Sequence, residues 1–149
     1  MKIRTNKFYL SNNMEIKENE INEGATQFDG KWICNYNVSD IIEVQKNNKL
    51  SIYVPSTIDV NKINDNLDNT IKSVKEKIKQ DTKEYKTKGA WKCENGFIVY
   101  EDITILTINA TMENFENQLN DFIKLAEELK KELTQEGISV GINDGLMII

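Results

Sequence analysis

The feature that most constrains the fold is a long amphipathic segment near the C-terminus. Between Thr111 and Gly137, apolar residues recur at alternating steps of three and four, which is the spacing of one helical face. Thr111 is predicted to cap the first turn, and Gly137 is predicted to end the helix in a left-handed conformation. Because such a face must be buried, the helix requires a partner layer. The residues of the face are Phe115, Leu119, Phe122, Ala126, Leu129 and Leu133.

The chain after Gly137 has the pattern of a β-hairpin. Residues 138–142 alternate between branched apolar residues and Ser or Gly, and Asn143-Asp144-Gly145 has turn chemistry. Residues 146–149 then form a second apolar run. The chain is therefore predicted to end as a strand inside a sheet, and this sheet is the layer on which the helix can pack.

A second amphipathic helix is predicted after a strand at residues 50–54. Pro55 cannot donate a hydrogen bond to a sheet, so the strand should end there. Ser56 and Asp59 match a capping box, which predicts that the helix starts at this point. Its apolar face repeats the three-four step in Val60, Ile63, Leu67, Ile71, Val74 and Ile78.

A long β-hairpin is predicted between the two helices. Asn95-Gly96 is the strongest hairpin-turn signal in the chain, and it separates the strand-like runs 86–94 and 97–108. The second run carries apolar residues on both faces, which predicts a central position in the sheet.

The order of these elements indicates the fold class. From residue 50 onward it is strand, helix, strand, strand, helix, strand, which is the order of ferredoxin-like folds. We therefore predict an α+β fold in which two helices cover one face of an antiparallel sheet, with a ferredoxin-like core at residues 50–149. A β-rich extension, a hairpin or meander, is expected to pack on it at residues 1–49. With 149 residues, the chain is expected to form a single domain.

The N-terminal extension contains short runs of β-branched and aromatic residues separated by turn residues. Strands are expected at 7–10, 32–38 and 41–45, with turns at 11–13, 29–30 and 47–48. Residues 14–24 fit an edge strand, a short helix or a loop, and their pattern does not choose among these.

Several classes of function are excluded by composition. The chain has no histidine, which excludes catalytic triads with histidine, histidine acid-base catalysis and imidazole metal ligation. Cys34 and Cys93 are too few for a zinc site of cysteines alone, and we expect them to be reduced. No signal peptide or membrane span is found, so a cytosolic location without a membrane partner is expected. We predict no metal, no cofactor and no catalytic residue.

Basic residues are concentrated in one part of an acidic chain. The formal net charge is −5, yet residues 72–92 are rich in lysine. Lysines interleaved with an aromatic residue are typical of nucleic-acid contacts. However, the glycine-aromatic signature of an RNA-recognition strand is missing, so this hypothesis is the less favoured one. The candidate residues are Lys83, Lys86, Lys88, Trp91 and Lys92.

The acidic face of the last helix suggests a protein partner with a basic surface. An acidic protein without histidine can occupy a positively charged groove by electrostatic complementarity. Phage and mobile-element inhibitors such as anti-CRISPR proteins are similar in size and charge, although no residue motif supports this analogy. Our first hypothesis is therefore a non-enzymatic binding protein or inhibitor, and a homodimer is also compatible with the pattern. The candidate contact residues are Glu113, Glu116, Asp121, Glu127, Glu128 and Glu132.

The alternative hypothesis is an enzyme or small-ligand-binding protein with a pocket between sheet and helices. A deep pocket lined by Trp32, Tyr36 or Trp91 with a convergent lysine or acid would support it. Glu101 and Asp102 are adjacent in a predicted strand and point to opposite faces, so they cannot act as a pair. They are expected to lie on a solvated face.

Overall fold

The fold is α+β, and the described residues form an antiparallel ten-stranded sheet, a separate two-stranded sheet and two α-helices. The computed structural model describes residues 10–12, 14–21, 24–28, 30–34, 39–40, 47–59, 62–92, 95–143 and 145–149. The strands are β1 (Leu10–Asn12), β2 (Met14–Ile16), β3 (Gly24–Phe28), β4 (Lys31–Cys34), β5 (Ser39–Asp40), β6 (Asn47–Pro55), β7 (Thr57–Ile58), β8 (Lys62–Ile63), β9 (Lys83–Lys92), β10 (Ile98–Thr111), β11 (Ser139–Ile142) and β12 (Gly145–Ile148). The helices are α1 (Leu67–Ile78) and α2 (Phe115–Glu132).

The strand β10 lies at the centre of the large sheet, as predicted. The strand order is β2-β4-β3-β9-β10-β6-β11-β12-β1-β5, and β7 pairs with β8 in the second sheet. β10 pairs with β9 through a hairpin at Gly96, which has a φ of 87°, and with β6 on its other side. The C-terminal hairpin of β11 and β12 is also confirmed, and β12 lies inside the sheet.

Both helices pack on the same face of the sheet. Leu50, Ile52 and Val54 alternate along β6 and are fully buried in one apolar cluster with residues of α1, α2, β10 and β11. Residues between them, such as Ser51 and Tyr53, therefore point to the opposite face. The predicted apolar face of α2 is confirmed because all six of its residues are buried.

The N-terminal strands extend the sheet at both of its edges. β3 and β4 form the predicted hairpin at Gly30, whose φ is 77°, and β3 pairs with β9. β1 and β5 instead continue the sheet beyond β12. Residues 14–24, for which the sequence left three possibilities, contain β2, a 3-10 helix at Glu18–Glu20 and the start of β3. The strand expected at 41–45 lies outside the described residues.

The start of the first helix differs from the prediction. The strands β7 and β8 pair where the helix was expected to begin, and α1 begins only at Leu67. Asn64 accounts for this start. Its side-chain NH₂ donates to the Thr70 hydroxyl at 3.0 Å, and its side-chain oxygen accepts from the backbone N–H of Asn66 at 3.0 Å. Ile63, which was expected on the buried helix face, is 79% exposed.

Four other local predictions are also wrong. Thr111 is the last residue of β10 rather than the cap of α2, which starts after a turn. Thr134 adopts the left-handed conformation after α2 with a φ of 50°, and Gly137 does not. Asn48 belongs to β6 instead of a turn, because its buried amide donates to the Ala110 carbonyl across the sheet. Similarly, residues 11 and 12 belong to β1 rather than to the turn expected there.

Candidate functional site

A small cavity lies on the face of the sheet that the helices do not cover. Its floor is formed by β3, β9, β10 and β6, and residues 135–139 and Ile148 form its wall. Its volume is about 80 Å³, and it opens to solvent. The lining is a mixture of small apolar residues and a few polar groups, and it contains two carboxylates, that of Glu101, which is partly buried, and that of Glu136, which is exposed.

The register of the central strands places Glu101 in the cavity. Glu101 of β10 pairs with Gly89 of β9, so no side chain stands beside the carboxylate on that strand. A Cβ atom at position 89 would lie 3.1 Å from Cγ1 of Ile103 and 3.5 Å from Cγ of Glu101. The glycine therefore provides the space that the cavity and its carboxylate occupy.

The carboxylate of Glu101 has an unusual electrostatic environment. Burial raises its pKa above the ordinary value, and a hydrogen bond from the Thr57 hydroxyl to Oε2, 2.7 Å long, opposes that rise. Among the described residues that line the cavity there is no lysine or arginine. A buried carboxylate without a paired cation is costly, so the site favours a ligand that brings a positive charge.

Thr57 is itself held by Gln135. The Gln135 amide nitrogen lies 3.0 Å from the Thr57 carbonyl, 3.4 Å from its hydroxyl and 3.2 Å from the Leu133 carbonyl. The chain reverses after α2 at Thr134, and the Gln135 backbone N–H then donates to the Lys130 carbonyl at 2.9 Å. The end of α2 therefore delivers a side-chain amide to the edge of the cavity.

Two aromatic residues line the cavity beside Glu101. Trp91 is half-buried and lies two residues beyond Gly89 on the same face of β9. Tyr53 on β6 is the second, and burial raises its pKa to about 12, so its hydroxyl stays protonated near neutral pH. Trp32 lies elsewhere, with its ring 5.7 Å from that of Tyr100, and Tyr36 is outside the described residues. A cavity with Trp91 and an acid is thus present, but it is small and lies on the uncovered face of the sheet, not between sheet and helices where the alternative hypothesis placed it.

The six acidic candidates for a protein contact lie away from this cavity. Five of them are exposed and Glu116 is half-buried, all on α2 or just before it. Because α2 covers the opposite face of the sheet, none of the six lines the cavity. Glu128 is 3.3 Å from the Lys77 ammonium group of α1, which is an ordinary exposed ion pair.

The basic candidates are divided between the two faces of β9. Strand alternation puts Lys83 and Trp91 on the cavity face, and puts Lys86, Lys88 and Lys92 on the other. The Lys86 ammonium group donates to the Thr104 hydroxyl at 2.8 Å, and that of Lys88 lies 3.4 Å from the Asp102 carboxylate. Nucleic-acid binding by these residues stays a prediction, and a single flat surface does not contain all five of them.

Sequence reasoning missed the residue around which the site is built. Glu101 does point away from Asp102, as predicted, but its expected position on a solvated face is wrong. A signal was present in the alternation of β10. Val99 and Ile103 precede and follow Glu101 on the same face, and a single acid in an apolar row indicates a buried carboxylate.

Two other kinds of feature are absent from the part of the chain that the structure describes. No cluster of three or more His, Cys, Asp or Glu side chains there could hold a metal ion. No helix there is long and apolar enough to cross a membrane. The side chains of Cys34 and Cys93 lie outside what the structure describes.

Comparison with solved structures shows a fold shared with an enzyme. A phage SAM lyase in complex with S-methyl-5′-thioadenosine matches with a TM-score of 0.52 and 18% sequence identity, over 72% of this chain and 91% of that chain. A phage SAM lyase in the apo state matches with a TM-score of 0.50 and 18% identity, over 73% and 90% of the two chains. No protein-family model and no curated protein matches this chain.

This similarity corrects the functional prediction. The structural neighbours are an enzyme, which contradicts the hypothesis of a non-enzymatic, anti-CRISPR-like inhibitor and the expectation that the chain is not an enzyme. That hypothesis relied on acidic composition and on the absence of histidine. These features describe the surface and exclude one type of catalyst, and neither reports on a cavity. The association with phage agrees with the neighbours, and the enzymatic alternative is the better supported one.

Proposed function

We propose that this chain is an enzyme of the SAM lyase type that binds S-adenosylmethionine in the cavity at Glu101. The observation that carries the proposal is a buried carboxylate, beside Trp91 and Tyr53, in a cavity whose described lining supplies no cation. A sulfonium ion supplies the missing positive charge. The fold shared with a phage SAM lyase supports the same choice of ligand.

The aromatic lining fits the rest of such a ligand. An indole offers a face on which a purine can stack, and aromatic faces also attract cations. The cavity of about 80 Å³ is smaller than the several hundred Å³ of typical nucleoside-sized sites. It therefore holds the sulfonium and its nearest carbons, while the adenosine lies in the mouth against Trp91.

The reaction needs no co-reactant. In S-adenosylmethionine the sulfonium is bonded to a methyl, an adenosyl and an aminobutyryl group. When the bond to the aminobutyryl γ carbon breaks, its electron pair stays on sulfur and leaves neutral S-methyl-5′-thioadenosine. The substrate's own carboxylate closes on the γ carbon and gives a lactone. This closure is favoured over loss of a β proton because a carboxylate such as Glu101 is too weak a base for that carbon.

Glu101 acts in this scheme by binding and orientation. Its charge attracts the sulfonium, which positions the γ carbon for attack by the substrate carboxylate. Because the positive charge on sulfur disappears during the reaction, the carboxylate binds the substrate more tightly than the neutral thioether product. The same group therefore promotes substrate capture and product release.

We also propose that the segment from β6 to β11 is a ferredoxin-like core. The element order β6-α1-β9-β10-α2-β11 and the strand order β11-β6-β10-β9 support this assignment. Both helices pack on one face, which leaves the other face free for the cavity. The cytosolic location, the single domain, nucleic-acid binding and a homodimer stay predictions.

The proposal is tested by incubating the purified chain with S-adenosylmethionine in H₂¹⁸O and analysing the products by mass spectrometry. S-methyl-5′-thioadenosine is expected together with a lactone that carries no ¹⁸O on its γ carbon, and Glu101→Gln should greatly reduce both products. Glu127→Gln, the same change on the exposed face of α2, is the matched control and should remain active. Absence of S-methyl-5′-thioadenosine would refute the proposal, and ¹⁸O at the γ carbon would show hydrolysis instead.

A further inference from the structure

A chain of hydrogen bonds leads from the end of α2 to the carboxylate in the cavity. Gln135 donates to Thr57, and the Thr57 hydroxyl lies 2.7 Å from Oε2 of Glu101. Thr57 and Gln135 both line the cavity, yet neither carries a charge. A role of these hydrogen bonds in ligand binding rests on the proposed function.

The orientation of the Gln135 amide follows from its neighbours. The carbonyl oxygens of Thr57 and Leu133 lie 3.0 and 3.2 Å from the nitrogen, and a carbonyl oxygen can only accept. The group that faces them must therefore be the NH₂ rather than the amide oxygen. Since the Thr57 hydroxyl faces the same NH₂ at 3.4 Å, it accepts from that side.

The orientation of the Thr57 hydroxyl follows in turn. A hydroxyl has one hydrogen, and its neighbours among the described residues are the Gln135 NH₂ and the Glu101 carboxylate. Because the NH₂ cannot accept, the hydrogen points to Oε2 of Glu101. A carboxylate accepts this hydrogen more strongly than a protonated carboxyl does, so the arrangement favours the ionised form of Glu101.

The backbone around Thr57 is fixed on both sides. The Ser56 N–H donates to the Asp102 carbonyl at 3.1 Å, and the Asp59 N–H donates to the Leu133 carbonyl at 2.9 Å. Thr57 is therefore held between β10 and the end of α2. No hydrogen bond from a described residue reaches Oε1 of Glu101, which leaves that oxygen for a ligand.

We infer that Thr57 and Gln135 are positioning residues that keep Glu101 ionised and direct its Oε1 into the cavity. Burial alone would favour the neutral acid, which attracts a sulfonium far less than a carboxylate does. The relay from Gln135 through Thr57 counters this tendency without adding a cation that would repel the ligand. It thereby makes the cavity selective for positively charged ligands near neutral pH.

The test is a ¹³C NMR titration of the Glu101 carboxyl in the ligand-free full chain, with Glu101→Gln used to assign the signal. Thr57→Val keeps the shape but removes the hydroxyl, and the Glu101 pKa should rise above that of the unmodified protein. Thr57→Ser should restore the original titration. Thr107→Val is the matched control, because it removes a hydroxyl bonded to Ser51 at 2.7 Å outside the cavity lining.

A second variant tests the same inference if the substitution at position 57 prevents folding. Gln135→Leu should also raise the Glu101 pKa, because the freed Thr57 hydroxyl no longer has a fixed direction. An unchanged titration in a folded Thr57→Val, or in Gln135→Leu if Thr57→Val does not fold, would overturn the inference. A shift in Thr107→Val as large as that in Thr57→Val would also overturn it.

The role in binding has its own readout. At pH 7, Thr57→Val should weaken the binding of S-adenosylmethionine about tenfold and leave the affinity for neutral S-methyl-5′-thioadenosine unchanged. Thr57→Ser should restore the difference in affinity between the two ligands. Equal losses for both ligands would contradict a role through the charge of Glu101. The NMR titration needs no ligand, so a wild-type chain that binds neither compound would refute the proposed function without affecting the result on the relay.

Discussion

The two faces of the central sheet differ in what their side chains do. On the helix-covered face, Leu50, Ile52 and Val54 are fully buried in the main apolar core. On the other face of the same strand, Ser51 exchanges a hydrogen bond with Thr107, and Tyr53 lines the cavity. One face supplies stability, while the other carries a buried charge at a cost to stability. Substitutions on the two faces should therefore separate stability from ligand binding.

The largest effect is expected on the helix-covered face. Leu119 of α2 is almost fully buried in the main core, so Leu119→Ala should lower the free energy of unfolding by about 3 kcal/mol through lost burial and the cavity left behind. Urea denaturation measures this loss. At temperatures where the variant is folded it should bind ligand normally, and a specific loss of binding would show that the faces are not independent.

A smaller effect on stability is expected for a substitution in the cavity floor, where the side chains of Ile103 and Glu101 lie close to Gly89. Gly89→Ala places a methyl group 3.1 Å from Ile103 and 3.5 Å from Glu101, which should cost about 1–2 kcal/mol of stability and reduce ligand binding. Thr107→Val is the control, because it removes the 2.7 Å hydrogen bond to Ser51 and neither residue lines the cavity. If both variants lose ligand binding equally by titration calorimetry, the cavity is not the binding site.

The buried carboxylate should make stability depend on pH. The raised pKa of Glu101 means that the folded state holds its proton more firmly than the unfolded state. Its contribution is therefore most favourable below the unfolded pKa, and it is lost as pH rises through the folded pKa. Glu101→Gln cannot ionise and so avoids this decrease in stability. The variant should be more stable than the unmodified chain by on the order of 1 kcal/mol at pH 7, and this difference should disappear near pH 4.

Urea denaturation at several pH values measures this dependence. Glu127→Gln, at an exposed position on α2, is the control and should show no comparable gain. A gain for Glu101→Gln that does not change with pH would contradict the assignment of the penalty to ionisation.

The smallest effect is expected at the acidic face of α2. Lys77 and Glu128 form an exposed ion pair, so Lys77→Ala should change stability by only about 0.3 kcal/mol, and salt should reduce the effect further. Ligand binding should be unaffected because neither residue lines the cavity. A clear loss of binding or of turnover would return the helix face to consideration as a functional surface.

The sequence was informative wherever local periodicity decides structure. The apolar faces of α1 and α2, the hairpin at Gly96 and the central position of β10 all follow from residue spacing. The start of α1 was missed because the side-chain bonds of Asn64 override a plausible capping pattern at Ser56.

The site was harder to predict than the fold because its contacts are distant in sequence. Glu101 is hydrogen-bonded to Thr57, which is 44 residues away in sequence, and Thr57 is hydrogen-bonded to Gln135, which is 78 residues away. No local pattern encodes such a relay. The apolar row around Glu101 indicated burial, but only the packing of residues 135–139 against β6, β9 and β10 shows that a cavity lies beside the carboxylate.

The most direct test of the central claim compares two ligands that differ chiefly in the charge on sulfur. Rapid-mixing binding measurements at pH 7, completed before turnover, should show that S-adenosylmethionine binds the unmodified chain at least tenfold more tightly than S-adenosylhomocysteine, its neutral thioether counterpart. Glu101→Gln should remove that preference while it retains the weaker binding. Equal affinities for the two compounds, or a preference that survives in Glu101→Gln, would contradict the account of this cavity as a site for a sulfonium ion.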